Sequence, residues 1–370
     1  MRDDSPVRPT PLRAVHDTLG AVMTPFAGWE MPLRYGSETA EHHAVRQAVG
    51  LFDLSHMGEI LVSGPEAGAA LDYALVGNIG GLAVGRARYT MICAPDGGVL
   101  DDLIVYRTGD TEFLVVANAV NTALVAAELT ERCAGHRAEV ADRTAEYALV
   151  AVQGPRAVDL LTPLTPADLT SLRYYAATAT EVAGCPVLLA RTGYTGEDGF
   201  ELFCAPDRAV DLWEVLRQAG EPHGLRPAGL ACRDTLRLEA GMPLYGNELT
   251  AERTPFEAGL GRVVKFDKGE FVGREALLAR RDSAPTEHLV GLVAEGRRVP
   301  RSGYLVVDPV SGEKVGVVTS GAPSPTLQRP IAMAYVAAGA AEPGSRLAVE
   351  VRGRQEPVEV VALPFYRRQR

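Results

Sequence analysis

Residues 88–106, RYTMICAPDGGVLDDLIVY, constrain the fold more than any other stretch of this chain. Pro95, Asp96, Gly97 and Gly98 combine a ring that presets φ with residues that accept positive φ, which is the chemistry of a tight turn. The flanks, rich in Val, Ile, Leu and Tyr, therefore predict two antiparallel strands. A two-residue loop of Asp96-Gly97 sets Met91 opposite Asp102 and Tyr89 opposite Ile104, and a Gly97-Gly98 loop leaves the faces unchanged. Side chains alternate along a strand, so Asp102, Ile104 and Tyr106 share a face with Tyr89 and Met91, while Asp101, Leu103, Val105 and Arg107 share the other. A carboxylate among Tyr, Met and Ile is partly desolvated, which raises its pKa or prepares it for a cationic ligand. The plainer reading makes both acids ordinary polar residues near a turn.

At 370 residues the chain exceeds the size at which a single core keeps growing, so two or three domains are expected. Against 47 Asp and Glu stand 37 Lys and Arg, a net charge of −10 that disfavours nucleic acid and anionic membranes and suits a cationic group. Cys93, Cys133, Cys185, Cys204 and Cys232 are scattered without a C-x-x-C pair, so neither a disulfide framework nor a zinc ribbon is expected. The opening MRDDSP lacks the apolar core of a signal peptide, and no run approaches the ~18 apolar residues of a membrane span. A cytoplasmic protein is the expectation.

Along the chain, residues 1–11 read as a loose arm and 11–19 as a short helix. From Met23 to Tyr35, prolines and glycines interrupt any regular element, predicting a structured loop. Ser37 and Glu41 open a helix over 37–49 that Gly50 stops. His42 and His43 are adjacent there, about 100° apart, so they are not the i, i+4 pair of a metal site, and no metal is expected. Gly64-Pro65 and Gly154-Pro155 each lead from an apolar strand into a helix, which suggests two similarly built modules. A strand over 112–118 completes a meander with the hairpin, and a helix over 121–133 follows.

Residues 191–203, RTGYTGEDGFELF, hold three glycines but have neither the G-x-G-x-x-G spacing nor the Lys-Ser/Thr of a nucleotide loop, and they run into a strand. Within that strand Glu201 lies between Phe200 and Leu202 and requires donors. In a helix over 229–241, Arg233 and Arg237 share one face. They suit either an anchoring ion-pair network or planar recognition of a carboxylate. Beyond about residue 279, short strands near 289–293, 304–307, 315–319 and 347–351 predict a small all-β barrel or sandwich.

Taken together, FAGWEMPL (26–33), FDLSHMGE (52–59), GGVLDDLIVY (97–106), RTGYTGEDGFE (191–201), ACRDTLRLEAG (231–241) and TSGAPSPTL (319–327) resemble the aminomethyltransferase (T-protein) family of the glycine cleavage system, nearly end to end. The resemblance implies an α+β fold of three domains around a central folate-binding channel: residues 1–53 with 143–278, residues 54–142, and an all-β domain over 279–370. It implies tetrahydrofolate as co-substrate and, as partner, an H-protein that carries the aminomethyl group on a lipoyl arm. The family's essential carboxylate falls on Asp102, the residue that strand alternation selects. Glu201 matches the carboxylate that recognises the pterin, Arg233 matches a folate contact, and Met57, Tyr89, Tyr106, Asn118 and Tyr194 match the channel lining. A folate-contacting tail residue corresponds to Arg368 or Arg370. Two other activities share the fold: a tetrahydrofolate-dependent demethylase, and a non-catalytic folate-binding scaffold whose Cys-containing, glycine-rich motif does not stand out here.

Overall fold

The computed structural model describes residues 7–368. The chain divides into two compact units, one holding residues up to Ala74, Asn78–Thr90 and Leu103–Arg233, the other Leu75–Gly77, Met91–Asp102 and the residues from Asp234 on.

In the first unit a six-stranded sheet runs in the order Ala177–Val182, Cys185–Ala190, Gly199–Cys204, Ala148–Gln153, Val49–Asp53 and Leu225–Pro227. Its core packs Leu51, Val150, Val152, Leu189, Phe200 and Leu202 with Leu212 and Trp213 of the helix Ala209–Gly220. The helix Glu38–Gln47 begins where expected, with the Ser37 side chain accepting the Ala40 N–H. Where residues 23–35 were expected to form an irregular loop, strands Val22–Phe26 and Trp29–Arg34 pair antiparallel. Pro32 is tolerated because the register shifts beside it and the third strand, Arg8–Pro9, reaches only Trp29 and Glu30.

The two Gly-Pro junctions are built alike. Gly64 and Gly154 take φ of +128° and +142°, and a Cβ at either would lie about 2.5 Å from a backbone carbonyl, Arg137 O or Ala48 O. Each turns its strand, Gly58–Ser63 or Ala148–Gln153, into a short helix, Ala67–Ala74 or Ala157–Leu161.

A five-stranded sheet has the order Ala87–Cys93, Val99–Gly109, Glu112–Ala117, Gly58–Ser63 and Glu139–Asp142. The hairpin forms, but its turn differs from the two-residue loop expected. The Gly97 N–H donates to Ala94 O at 2.9 Å and the Ala94 N–H to Gly98 O at 2.8 Å, with Gly97 at φ +90°. The loop is thus Pro95, Asp96 and Gly97, and the extra left-handed glycine shifts the cross-strand partners at the turn by one residue. Because a one-residue shift exchanges the faces, Met91 comes opposite Asp101 rather than Asp102 beside this turn, against the expectation that Asp102 shares a face with Tyr89 and Met91, while alternation within the second strand is unaffected. Val99, Asp101, Leu103 and Val105 are buried, while Leu100, Asp102 and Ile104 are half-buried.

In the second unit six strands close a barrel in the order Glu287–Ala294, Arg329–Ala337, Lys314–Ser324, Leu305–Val307, Arg346–Val351 and Arg354–Val361. Pairing of Gly291 through Ala294 with Val361 through Val358 completes it, and Val290, Leu292, Ala334, Val336, Val349 and Val360 fill the interior. Closure leaves no free edge, which decides for a barrel over a sandwich. The helix Leu230–Glu239 runs toward its C-terminal end with Arg237 only 1 % exposed. That guanidinium bonds Glu248 at 3.0 Å, Ser320 Oγ at 2.8 Å and Asp234 at 2.8 Å. Arg237 is therefore an anchor, as the ion-pair reading of the sequence held.

Candidate functional site

Glu201 occupies the middle of the sheet of the first unit, paired with Ala151 and Ala190. The donors its apolar strand demanded are hydroxyls. Tyr106 Oη donates to Glu201 Oε2 at 3.2 Å, the Thr192 hydroxyl donates to the same oxygen, and the two hydroxyls lie 3.0 Å apart. All three side chains are under a tenth exposed. Burial, then the Glu201 charge, pushes the Tyr106 phenol well above its ordinary pKa, so it remains a donor.

Thr192 was not singled out in the sequence, because its role arises from packing. Gln153 Nε2 donates to the Thr192 carbonyl at 3.0 Å, and its Oε1 accepts from the Thr195 hydroxyl at 2.9 Å. A Cβ at Gly193 would lie 2.0 Å from Gln153 Oε1, so this glycine serves close approach rather than phosphate binding. Arg46, from the helix Glu38–Gln47, pins the loop further through Glu197 at 2.9 Å and the Thr195 carbonyl at 2.7 Å.

Tyr194, from the same loop, lies beneath the Arg233 guanidinium, 4.7 Å from ring centroid to Cζ. Burial lowers the Arg233 pKa, opposed by Tyr194 and Glu201, and so large a starting value keeps it cationic. Also missed was His56, inside the FDLSHMGE motif. Its imidazole is 3 % exposed, stands edge-on to Phe26 at 5.5 Å, and is held down to about 3 by burial and the Arg233 charge. It is neutral at physiological pH. Met57, Tyr89, Asn118, Tyr194 and Arg233 are each half-buried, the exposure of residues that can meet a ligand while keeping their packing.

In the second unit Asp102 is half-buried, and Asp101 is the carboxylate with no exposure at all. Burial, together with the charges of Asp101, Glu252 and Asp102, raises the Tyr245 phenol above its ordinary pKa, so it stays protonated near these carboxylates. On the tail, Arg368 is half-buried, Arg367 is exposed, and Arg370 lies outside the described residues. Among the described residues no group of three His, Cys, Asp or Glu side chains is placed to hold a metal ion.

Residues 12–268 match the family described as GCVT N-terminal domain, and residues 288–367 match the glycine cleavage T-protein C-terminal barrel domain. The chain is 64% identical over 362 residues to an aminomethyltransferase of Saccharopolyspora erythraea, covering 98% of each protein. It is 64% identical over 369 residues to one of Streptomyces coelicolor, covering 98% of this chain and 99% of the relative. Among solved structures, the glycine cleavage system aminomethyltransferase T of Bartonella henselae matches with a TM-score of 0.91 at 36% identity, over 97% of this chain and 98% of that one.

Proposed function

Because the chain belongs to the glycine cleavage T-protein family, we propose that it is a tetrahydrofolate-dependent aminomethyltransferase acting on a lipoylated H-protein. Its substrate is an aminomethyl group on a lipoyl sulfur, and its products are 5,10-methylenetetrahydrofolate, ammonia and the dihydrolipoyl H-protein. The observation that carries this reading is the 64% identity with aminomethyltransferases over 98% of this chain.

The residues present suit the folate. Both described bonds to the Glu201 carboxylate end on Oε2, and a carboxylate has lone pairs for the pterin N3–H and 2-amino group as well. Tyr106 and Thr192 hold that carboxylate in one orientation, and Arg233 on Tyr194 supplies a preformed cation for a folate oxygen. Met57, Tyr89 and Asn118 line the same site in this reading, and of the two tail candidates, Arg368 and Arg370, the reading takes Arg368 as the folate contact.

Tetrahydrofolate supplies the two nucleophiles, N5 and N10. In the transfer two bonds to the methylene carbon break: the C–N bond with ammonia leaving, and the C–S bond with a thiolate leaving. Two N–H protons are released, one to the thiolate and one to ammonia, so charge balances. Asp102 stabilises the cationic character at the methylene and ammonium and relays one of these protons. The remaining residues hold the reactants in position.

The test is ammonia release from aminomethyl-lipoyl H-protein, with and without tetrahydrofolate. Fast release that requires tetrahydrofolate is expected. Folate binding without release would refute the reading.

A further inference from the structure

The residues assigned so far leave unexplained a buried carboxylate at the end of the helix Leu230–Glu239. Glu239 has no exposed surface. Its Oε1 accepts from the Ser324 hydroxyl at 2.5 Å and the Thr326 N–H at 3.1 Å, and its Oε2 accepts from the Thr326 hydroxyl at 2.8 Å. Ser324 Oγ in turn accepts the Leu327 N–H at 2.9 Å. One carboxylate thus shapes the turn that closes the TSGAPSPTL segment. An anion suits three donors converging on two oxygens, whereas an amide would turn its NH2 toward one of them.

The main chain of the same residue has a second task. The Glu239 carbonyl accepts the Tyr366 N–H at 2.8 Å. Around this bond the tail has no slack. A Cβ at Gly241 would stand 3.0 Å from Pro364 Cα, and Leu363 and Phe365 pack against Leu238, Ala322, Ile331 and Met333. Arg368 follows Tyr366 by two residues.

We infer that Glu239 is a positioning residue for folate binding: its side chain locks onto the 324–327 turn, which holds its carbonyl at Tyr366 and so delivers Arg368 to tetrahydrofolate in one place. This rests on the reading above, in which Arg368 contacts the folate. Glu239 itself touches no substrate.

The experiment is a double-mutant cycle of Glu239→Gln with Arg368→Ala, reading KM for tetrahydrofolate and kcat in the ammonia-release assay. Arg368→Ala should raise KM about tenfold and Glu239→Gln about three- to tenfold, and the double variant should be no worse than Arg368→Ala alone, because one residue acts through the other. Glu239→Gln should keep kcat within about twofold, a split that general loosening of the fold would not produce. In the same variant, native-state hydrogen exchange at the Tyr366 amide should speed up. Should Glu239→Gln fold poorly, Thr326→Val removes one donor and should couple to Arg368→Ala in the same direction. Independent, multiplying effects on KM, or an unchanged KM in Glu239→Gln, would overturn the inference. An Arg368→Ala enzyme with unchanged KM would overturn it through the tail assignment while leaving the transferase reading intact, and absence of ammonia release from the unmodified protein would remove that reading itself.

Discussion

Glu59 offers a direct test of the electrostatics of the first unit. It lies in the strand Gly58–Ser63 at 1 % exposure, with both carboxyl oxygens buried and no hydrogen bond to either among the described residues. Burial first, and the Asp142 charge second, raise its pKa well above the ordinary 4.5. The folded protein therefore holds this proton more tightly than the unfolded chain does. Below the unfolded pKa both states are protonated and the group has no electrostatic cost. As pH rises, the unfolded chain ionises first, and stability falls by about 1.4 kcal/mol per pH unit until the folded pKa is reached. Glu59→Gln replaces the acid with a neutral group of the same shape, and the burial of one polar group for another cancels at low pH. The stability of the variant relative to the parent should therefore grow with pH. Urea unfolding of both proteins across pH 5.5 to 7.5 measures it. Parallel stability curves would show that Glu59 is ionised and compensated in the folded protein, which would refute the reasoning.

Other substitutions test the site and its frame. Asp102→Asn should keep tetrahydrofolate binding but lose on the order of a thousandfold in turnover, and near-normal turnover would remove Asp102 from the chemistry. Thr192→Val deletes one of the hydroxyl donors to Glu201 and should cost about 1–2 kcal/mol in stability or folate affinity, seen as a lower Tm or a raised Kd; no change in either would show that Tyr106 alone suffices. At Gly98 a Cβ would lie 1.9 Å from the Ala251 carbonyl. Gly98→Ala should accordingly lose at least about 2 kcal/mol by urea unfolding, and parental stability would mean that the loop at Ala251 yields freely.

Local chemistry was legible along the chain. Pro95, Asp96 and the two glycines mark a hairpin because φ preferences act within a few residues, and the Ser37 cap and the two Gly-Pro junctions are readable for the same reason. Glu201 stood out because an acid in an apolar strand must find donors. Short strands between turn residues announced the β domain, although Arg329–Ala337, buried at every position but its ends, escaped notice.

What the sequence by itself determined is therefore the place of the hairpin, the helix start at Ser37, the two Gly-Pro junctions and the residues whose chemistry conflicts with their surroundings, whereas the length of the hairpin loop and the strands within 22–34 and 329–337 were not read from it. Tertiary structure alone decided which partners resolve those conflicts. Thr192 meets Glu201 only because Gln153, from another strand, seats the glycine loop. Arg237 is an anchor because Glu248 and Ser320 arrive from distant segments, and Asp101 rather than Asp102 is the fully buried acid of the pair. Dihedral preference and periodicity act over a few residues, whereas burial and hydrogen-bond partnership depend on chain that is close in space and remote in sequence.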